Sequence, residues 1–136
     1  MISITKIFGF ETAHRIATYK GSCSNIHGHS YKLHVTVTGE IDPETDMIFD
    51  FKQLKKIVNE KIIDKLDHAT ILKEGDKYAE LIKSSKLFLM KQEPTAERLL
   101  EYFSQLISSE LPASVKLIKL ILWETETSYA IWEPQV

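Results

Sequence analysis

The chain has 136 residues, 43% of them apolar and 26% charged, and a formal net charge of -2. That length suits one domain spanning residues 1–136 around a single core, and the composition is that of a folded globular protein. The charge excludes a general basic field for nucleic acid or an anionic membrane. A lone cysteine excludes an intrachain disulfide, so small-molecule chemistry in a reducing cytoplasm is expected.

Over residues 2–14, Ile4, Phe8, Phe10 and His14 share one parity, which predicts a strand carrying His14 on its apolar face. Residues 19–25 hold Gly21, Ser22 and Ser24 and read as a loop delivering Cys23. Residues 31–38 alternate cleanly, with Tyr31, Leu33, Val35 and Val37 opposite Lys32, His34, Thr36 and Thr38, and form the clearest strand. Asp42-Pro43 predicts a turn before a short strand at 47–49. Asp50 then caps a helix, with Gln53 as capping-box partner and Phe51, Leu54, Ile57, Val58 and Ile62 at helical spacing to about residue 65.

Residues 69–93 are charged, with a short helix expected near 78–82 and a short strand at 87–90. Thr95 caps a second helix whose stripe is Leu99, Leu100, Phe103, Leu106 and Ile107, closed near Pro112. Residues 115–123 and 129–132 read as two strands joined by the polar run 124–128. The expected architecture is α+β: an antiparallel four-stranded sheet with two main helices on one face. The other face, to which Val35, Val37, Leu120 and Leu122 are assigned, would need cover. Closure of several subunits' sheets into one barrel would provide it.

His27 and His29 are two apart with Gly28 between them, so on an extended chain both imidazoles leave the same face. His14 would join them if the two strands pair as a hairpin. Three neutral imidazoles with one open position suit a catalytic zinc that polarises oxygens, whereas no finger-like Cys/His spacing exists for a closed site. Any one histidine is more often a surface or core residue, and His34, of opposite parity, is read that way. Cys23 is either buried filler or a thiol close enough to reach a metal-bound substrate. Asp67-His68 is either a helix-end charge pair or a carboxylate beside a proton shuttle, and adjacent side chains on a regular element diverge.

Several blocks together resemble the 6-pyruvoyl- and 6-carboxy-tetrahydropterin synthase family, of the tunnelling fold. They are Phe10-Glu11-Thr12-Ala13-His14-Arg15, Cys23-Ser24-Asn25-Ile26-His27-Gly28-His29-Ser30-Tyr31, Thr38-Gly39-Glu40, Asp50-Phe51, Leu66-Asp67-His68, Pro94-Thr95-Ala96-Glu97 and Glu124-Thr125. The resemblance implies zinc on His14, His27 and His29, Cys23 as proton acceptor, catalytic Asp67, His68 and Glu124, and substrate contacts from Glu124 and Thr95. It also implies a homo-oligomer in which trimers close a twelve-stranded barrel and pair as a hexamer. The three residues between Cys23 and His27 resemble the bacterial 6-carboxy branch, whereas animal pyruvoyl enzymes carry two more. The implied reaction converts 7,8-dihydroneopterin triphosphate to 6-carboxy-5,6,7,8-tetrahydropterin, acetaldehyde and triphosphate, on the route to queuosine. The pyruvoyl reaction on the same substrate is the first alternative, and a silent pterin- or metal-binding module the second.

Overall fold

Period-two alternation at the start of the chain builds the central hairpin of the computed structural model, which describes residues 1–135. The strands are β1 (Ser3–His14), β2 (His27–Gly39), β3 (Ala69–Lys73), β4 (Leu87–Met90), β5 (Val115–Thr125) and β6 (Ser128–Trp132). They form one sheet in the order β4-β3-β1-β2-β5-β6. β1, β2, β5 and β6 pair antiparallel, as expected. The sheet has six strands, not four, because β3 adds to β1 in parallel and β4 to β3 in parallel. β3 touches β1 only from Thr12 to His14, so this addition flanks one end of the hairpin.

The core lies on one face. Phe8 and Phe10 of β1, Tyr31, Leu33, Val35 and Val37 of β2, and Leu120 and Leu122 of β5 are all buried there. Assigning Val35, Val37, Leu120 and Leu122 to the uncovered face is therefore wrong, since each is 0% exposed beneath the helices. A bulge in β5 opposite Thr36 and Val37 resets its parity, so that Val115 and Leu117 also face inward. The uncovered face instead carries exposed Ile7, Tyr129 and Ile131 among polar residues such as Lys32.

Helix α1 (Phe51–Val58) starts where Asp50 accepts the Lys52 N–H at 2.8 Å. It runs through a π turn at Asn59–Ile63 into α2 (Asp64–Leu66), which keeps Leu54, Val58, Ile62 and Leu66 buried in succession. Helix α3 (Ala96–Glu110) is capped by Thr95, whose hydroxyl accepts the Arg98 N–H at 3.2 Å. Its apolar stripe seats Phe103 edge-on against Phe10, with ring centroids 6.3 Å apart, while Phe10 stacks on Tyr31 at 5.1 Å.

Two short elements differ from expectation. Residues 47–49 form no strand, because Asp42 accepts the Glu44 N–H and Asp46 takes a positive φ of 59°, coiling the chain into a turn. Residues 78–82 form successive turns rather than a helix. Among the described residues, no helix is long and apolar enough to cross a membrane.

Phe103 is wholly buried between α3 and the sheet. Phe103→Ala should therefore cost about 3–5 kcal/mol in urea unfolding, whereas Ile131→Ala on the uncovered face should cost well under half as much in the dissociated chain.

Candidate metal centre and its surroundings

The hairpin register decides the site. His14 stands opposite His27 and Thr12 opposite His29, so three imidazoles leave one end of the β1–β2 ladder on the helix-covered face. Their ring centroids are 4.6, 5.1 and 4.9 Å apart. One ligand nitrogen from each lies within 4.8 Å of the others, and these three are the donor cluster found among the described residues.

Backbone acceptors orient two of the rings. His14 is buried and its Nδ1–H donates to the Pro94 carbonyl at 2.8 Å, with the Tyr31 hydroxyl 3.4 Å from the same nitrogen. His27 Nδ1–H donates to the Asn25 carbonyl at 2.7 Å. Both rings therefore turn an Nε2 lone pair inward, and these two atoms are 3.1 Å apart. Facing lone pairs repel unless a proton or a cation lies between them. Burial holds His14 and His29 below the ordinary imidazole range, which disfavours the proton.

His29 Nε2 completes the fit to a metal. It lies 3.3 Å from Glu124 Oε1, but without hydrogen-bond alignment, and is a buried nitrogen with no partner. A buried unpaired donor atom beside two converging lone pairs is the arrangement a divalent cation satisfies, and the carbonyls on the far nitrogens are the outer partners such histidines use. The trio could hold a metal through three neutral ligands.

Of the other candidates, Glu124 is the one within reach of the trio, and the rest lie on neighbouring elements. Cys23 is half-buried in a single 3-10 turn, Ser22–Ser24, and is not one of the clustered donors. Its carbonyl accepts the Ile16 N–H at 2.8 Å. Glu124 projects from β5 beside His29. Thr95 caps α3 directly after Pro94, so its hydroxyl already accepts one hydrogen bond.

Asp67 and His68 follow α2, and they do not diverge as neighbours on a regular element would. His68 takes a positive φ of 62°, which brings its Nδ1 to 3.1 Å from Asp67 Oδ1. Asp67 Oδ1 also accepts the Glu11 N–H at 2.9 Å. That backbone bond holds the Asp67 carboxyl below its usual range, so its contribution to stability is present above that range and fades as pH falls through the lowered value. The His68 side chain is 77% exposed and touches none of the three imidazoles, although His29 and His68 line one shallow depression with Glu11 and Ser30.

His34 lies apart on the uncovered face near Lys32, in line with its opposite parity. Sequence reasoning missed the Pro94 and Asn25 carbonyls and the Tyr31 hydroxyl. Backbone acceptors carry no residue-type signal, but both carbonyls fall within the motif blocks that define the resemblance.

A model of the family described as 6-pyruvoyl tetrahydropterin synthase matches residues 3–135. The 6-carboxy-5,6,7,8-tetrahydropterin synthase of Haemophilus influenzae is 32% identical, over 98% of this chain and 99% of that protein. That of Aquifex aeolicus is 33% identical, over 97% and 98%. The solved structure of Caenorhabditis elegans 6-pyruvoyl tetrahydropterin synthase superposes with a TM-score of 0.75 at 25% identity, covering 98% of this chain and 96% of that one.

Metal-free protein should take up a single equivalent of zinc or cobalt(II). His29→Ala, which removes the unpartnered nitrogen, should weaken uptake by at least about 100-fold, since losing an outer partner alone costs about 10- to 100-fold. Competition titration against a metal buffer, with circular dichroism to verify the fold, checks both. Full stoichiometric zinc in His29→Ala would remove this residue from the site.

Proposed function

The chain belongs to the 6-pyruvoyl tetrahydropterin synthase family, and we propose that it is the 6-carboxy-tetrahydropterin synthase of that family, with zinc held by His14, His27 and His29. The proposed reaction converts 7,8-dihydroneopterin triphosphate to 6-carboxy-5,6,7,8-tetrahydropterin with release of acetaldehyde and triphosphate, in the cytoplasm, for queuosine and related deazapurines. The observation that carries the reading is the convergence of three imidazoles, two of them turned inward by backbone carbonyls and the third with a buried, unpartnered Nε2. The 6-carboxy branch is favoured by the names of the two relatives above and by the three residues between Cys23 and His27.

Bound to the trio, zinc would supply a Lewis-acid charge that polarises substrate oxygens and acidifies the adjoining carbon-bound proton. Cys23, on its short turn, is the proposed acceptor of that proton. His68 would hold or return a proton at its ring, with Asp67 Oδ1 fixing Nδ1 and leaving Nε2 outward. Glu124, on the same face as the trio, would accept hydrogen bonds from the pterin amino group and ring N–H, a fork that suits a carboxylate. Binding it would draw Glu124 from its place near His29. Thr95, next to the Pro94 carbonyl, is positioned for a further contact.

The chain is proposed to act as a homo-oligomer built on trimers, paired into a hexamer. From Ser3 to Phe10 the outer side of β1 has no strand partner among the described residues, and β6 ends the sheet on the other side. β1 and β6 run in opposite directions, so β6 of one subunit can pair antiparallel with β1 of the next. Three sets of four antiparallel strands would then make a twelve-stranded barrel.

The pyruvoyl reaction is the second reading, favoured by the family description and by the Caenorhabditis elegans structure. Product analysis separates the two: acetaldehyde from dihydroneopterin triphosphate supports the first, pyruvoyl-tetrahydropterin the second, and no turnover by zinc-loaded protein would refute both. Cys23→Ala should lower kcat by at least about 100-fold with zinc content unchanged; loss of the metal would instead make the thiol a ligand. Mixed oligomers of Cys23→Ala and His68→Ala chains should recover part of the activity if sites are shared between subunits, and verified mixed oligomers without recovery would count against sharing.

A further inference from the structure

Arg15 follows the ligand His14 and is itself buried, an unusual place for a guanidinium unless it is paired. Its Nε donates to the Ser24 carbonyl at 2.7 Å, immediately after Cys23, while the next residue's N–H holds the Cys23 carbonyl. The carbonyls of Cys23 and of Ser24 after it are thus tied to residues 16 and 15. Arg15 Nη1 reaches Asp76 Oδ1 at 2.8 Å, with side chains 8% and 1% exposed. The same oxygen accepts the Tyr78 N–H at 2.9 Å, and the Tyr78 ring lies 4.6 Å from the guanidinium carbon. Asp76 Oδ2 is buried with no partner.

Burying this pair is costly, and breaking one side of it costs more, so the guanidinium is held where Asp76 places it. Asp76 belongs to the turn-rich stretch between β3 and β4, far in sequence from the trio. We infer that Asp76 is a positioning residue for Cys23, acting through Arg15 to fix the turn that carries the thiol. A purely structural anchor for residues 74–86 would need only the Asp76–Tyr78 turn; the Nε bond to Ser24 extends the constraint to the thiol's own loop. The inference rests on the reading of Cys23 as proton acceptor, and it gives the stretch between β3 and β4 a part in the reaction.

Asp76→Asn keeps the shape and removes the charge. In zinc-loaded protein well below its melting temperature, the rate of Cys23 alkylation by iodoacetamide should rise at least about fivefold. With dihydroneopterin triphosphate, kcat should fall at least about tenfold while KM stays within about twofold, as misplacement of a reacting group by an ångström or less predicts. Zinc content should be unchanged. A lowered melting temperature with alkylation rate and kcat both as in the parent would overturn the inference, leaving Asp76 as an anchor of its own segment. If the parent turns over no pterin, the proposed function fails, and the alkylation rates alone decide the positioning role. Should Asp76→Asn fold poorly, Arg15→Lys serves instead: it keeps a charge opposite Asp76 but cannot hold Ser24 as well. The same rise in alkylation is expected, and an unchanged rate would again overturn the inference.

Discussion

The register of β1 against β2 is the constraint on which the rest depends. Side chains in a strand alternate with period two, so a slip of one residue would send His27 and His29 to the opposite face from His14. What prevents the slip is the apolar part of the same ladder. Phe10 opposite Tyr31, Phe8 opposite Leu33 and Ile4 opposite Val37 all point beneath the helices, and moving them outward would expose most of the core. The histidine end of the hairpin therefore inherits its precision from the hydrophobic end. No long or flexible side chain has to find its place.

Between these two ends the core changes character by degrees. Tyr31 is the hinge of that change: its ring stacks on Phe10, and its hydroxyl lies against His14. Burial pushes its hydroxyl well above the ordinary phenol range, so it stays neutral and fit to face a neutral ring. Pro94 delivers its carbonyl to His14 one residue before Thr95 starts α3. Helix start and ring orientation are thus set within two residues. A proline that looks like helix punctuation therefore also orients a ring of the trio.

Much of this was legible in the sequence, for a physical reason: its signals are local. Strand parity over residues 2–14 and 31–38, the caps Asp50 and Thr95, and the His-Gly-His spacing each need only near neighbours. All three imidazoles come from one hairpin, so guessing the hairpin was guessing the cluster. What was missed is long-range or carried by the backbone. β3 and β4 are short apolar runs inside a charged segment, and nothing local says that they extend the sheet in parallel. Met47, Ile48 and Phe49 have strand-like side chains but follow the turn at Asp42 without pairing, and whether an extended run finds a partner strand is not a local property. Arg15 and Asp76 are sixty-one residues apart and meet only once the sheet has formed.

The same topology explains why a site so well ordered in one chain can still be incomplete there. β3 covers β1 only at Thr12–His14, and the outer side of β1 has no strand partner among the described residues from Phe10 back to Ser3. Asp67 and His68 sit at that junction: Asp67 takes the Glu11 N–H, and the Glu11 carbonyl takes the His68 N–H. They mark the point where the chain's own sheet ends and a free edge begins. A strand from another subunit, docking along that edge as proposed, would arrive next to a histidine that is 77% exposed in the single chain. Edge closure and burial of the Asp67–His68 pair would then be one event, since the unpaired backbone that drives strand addition lies against the residues that it would bury.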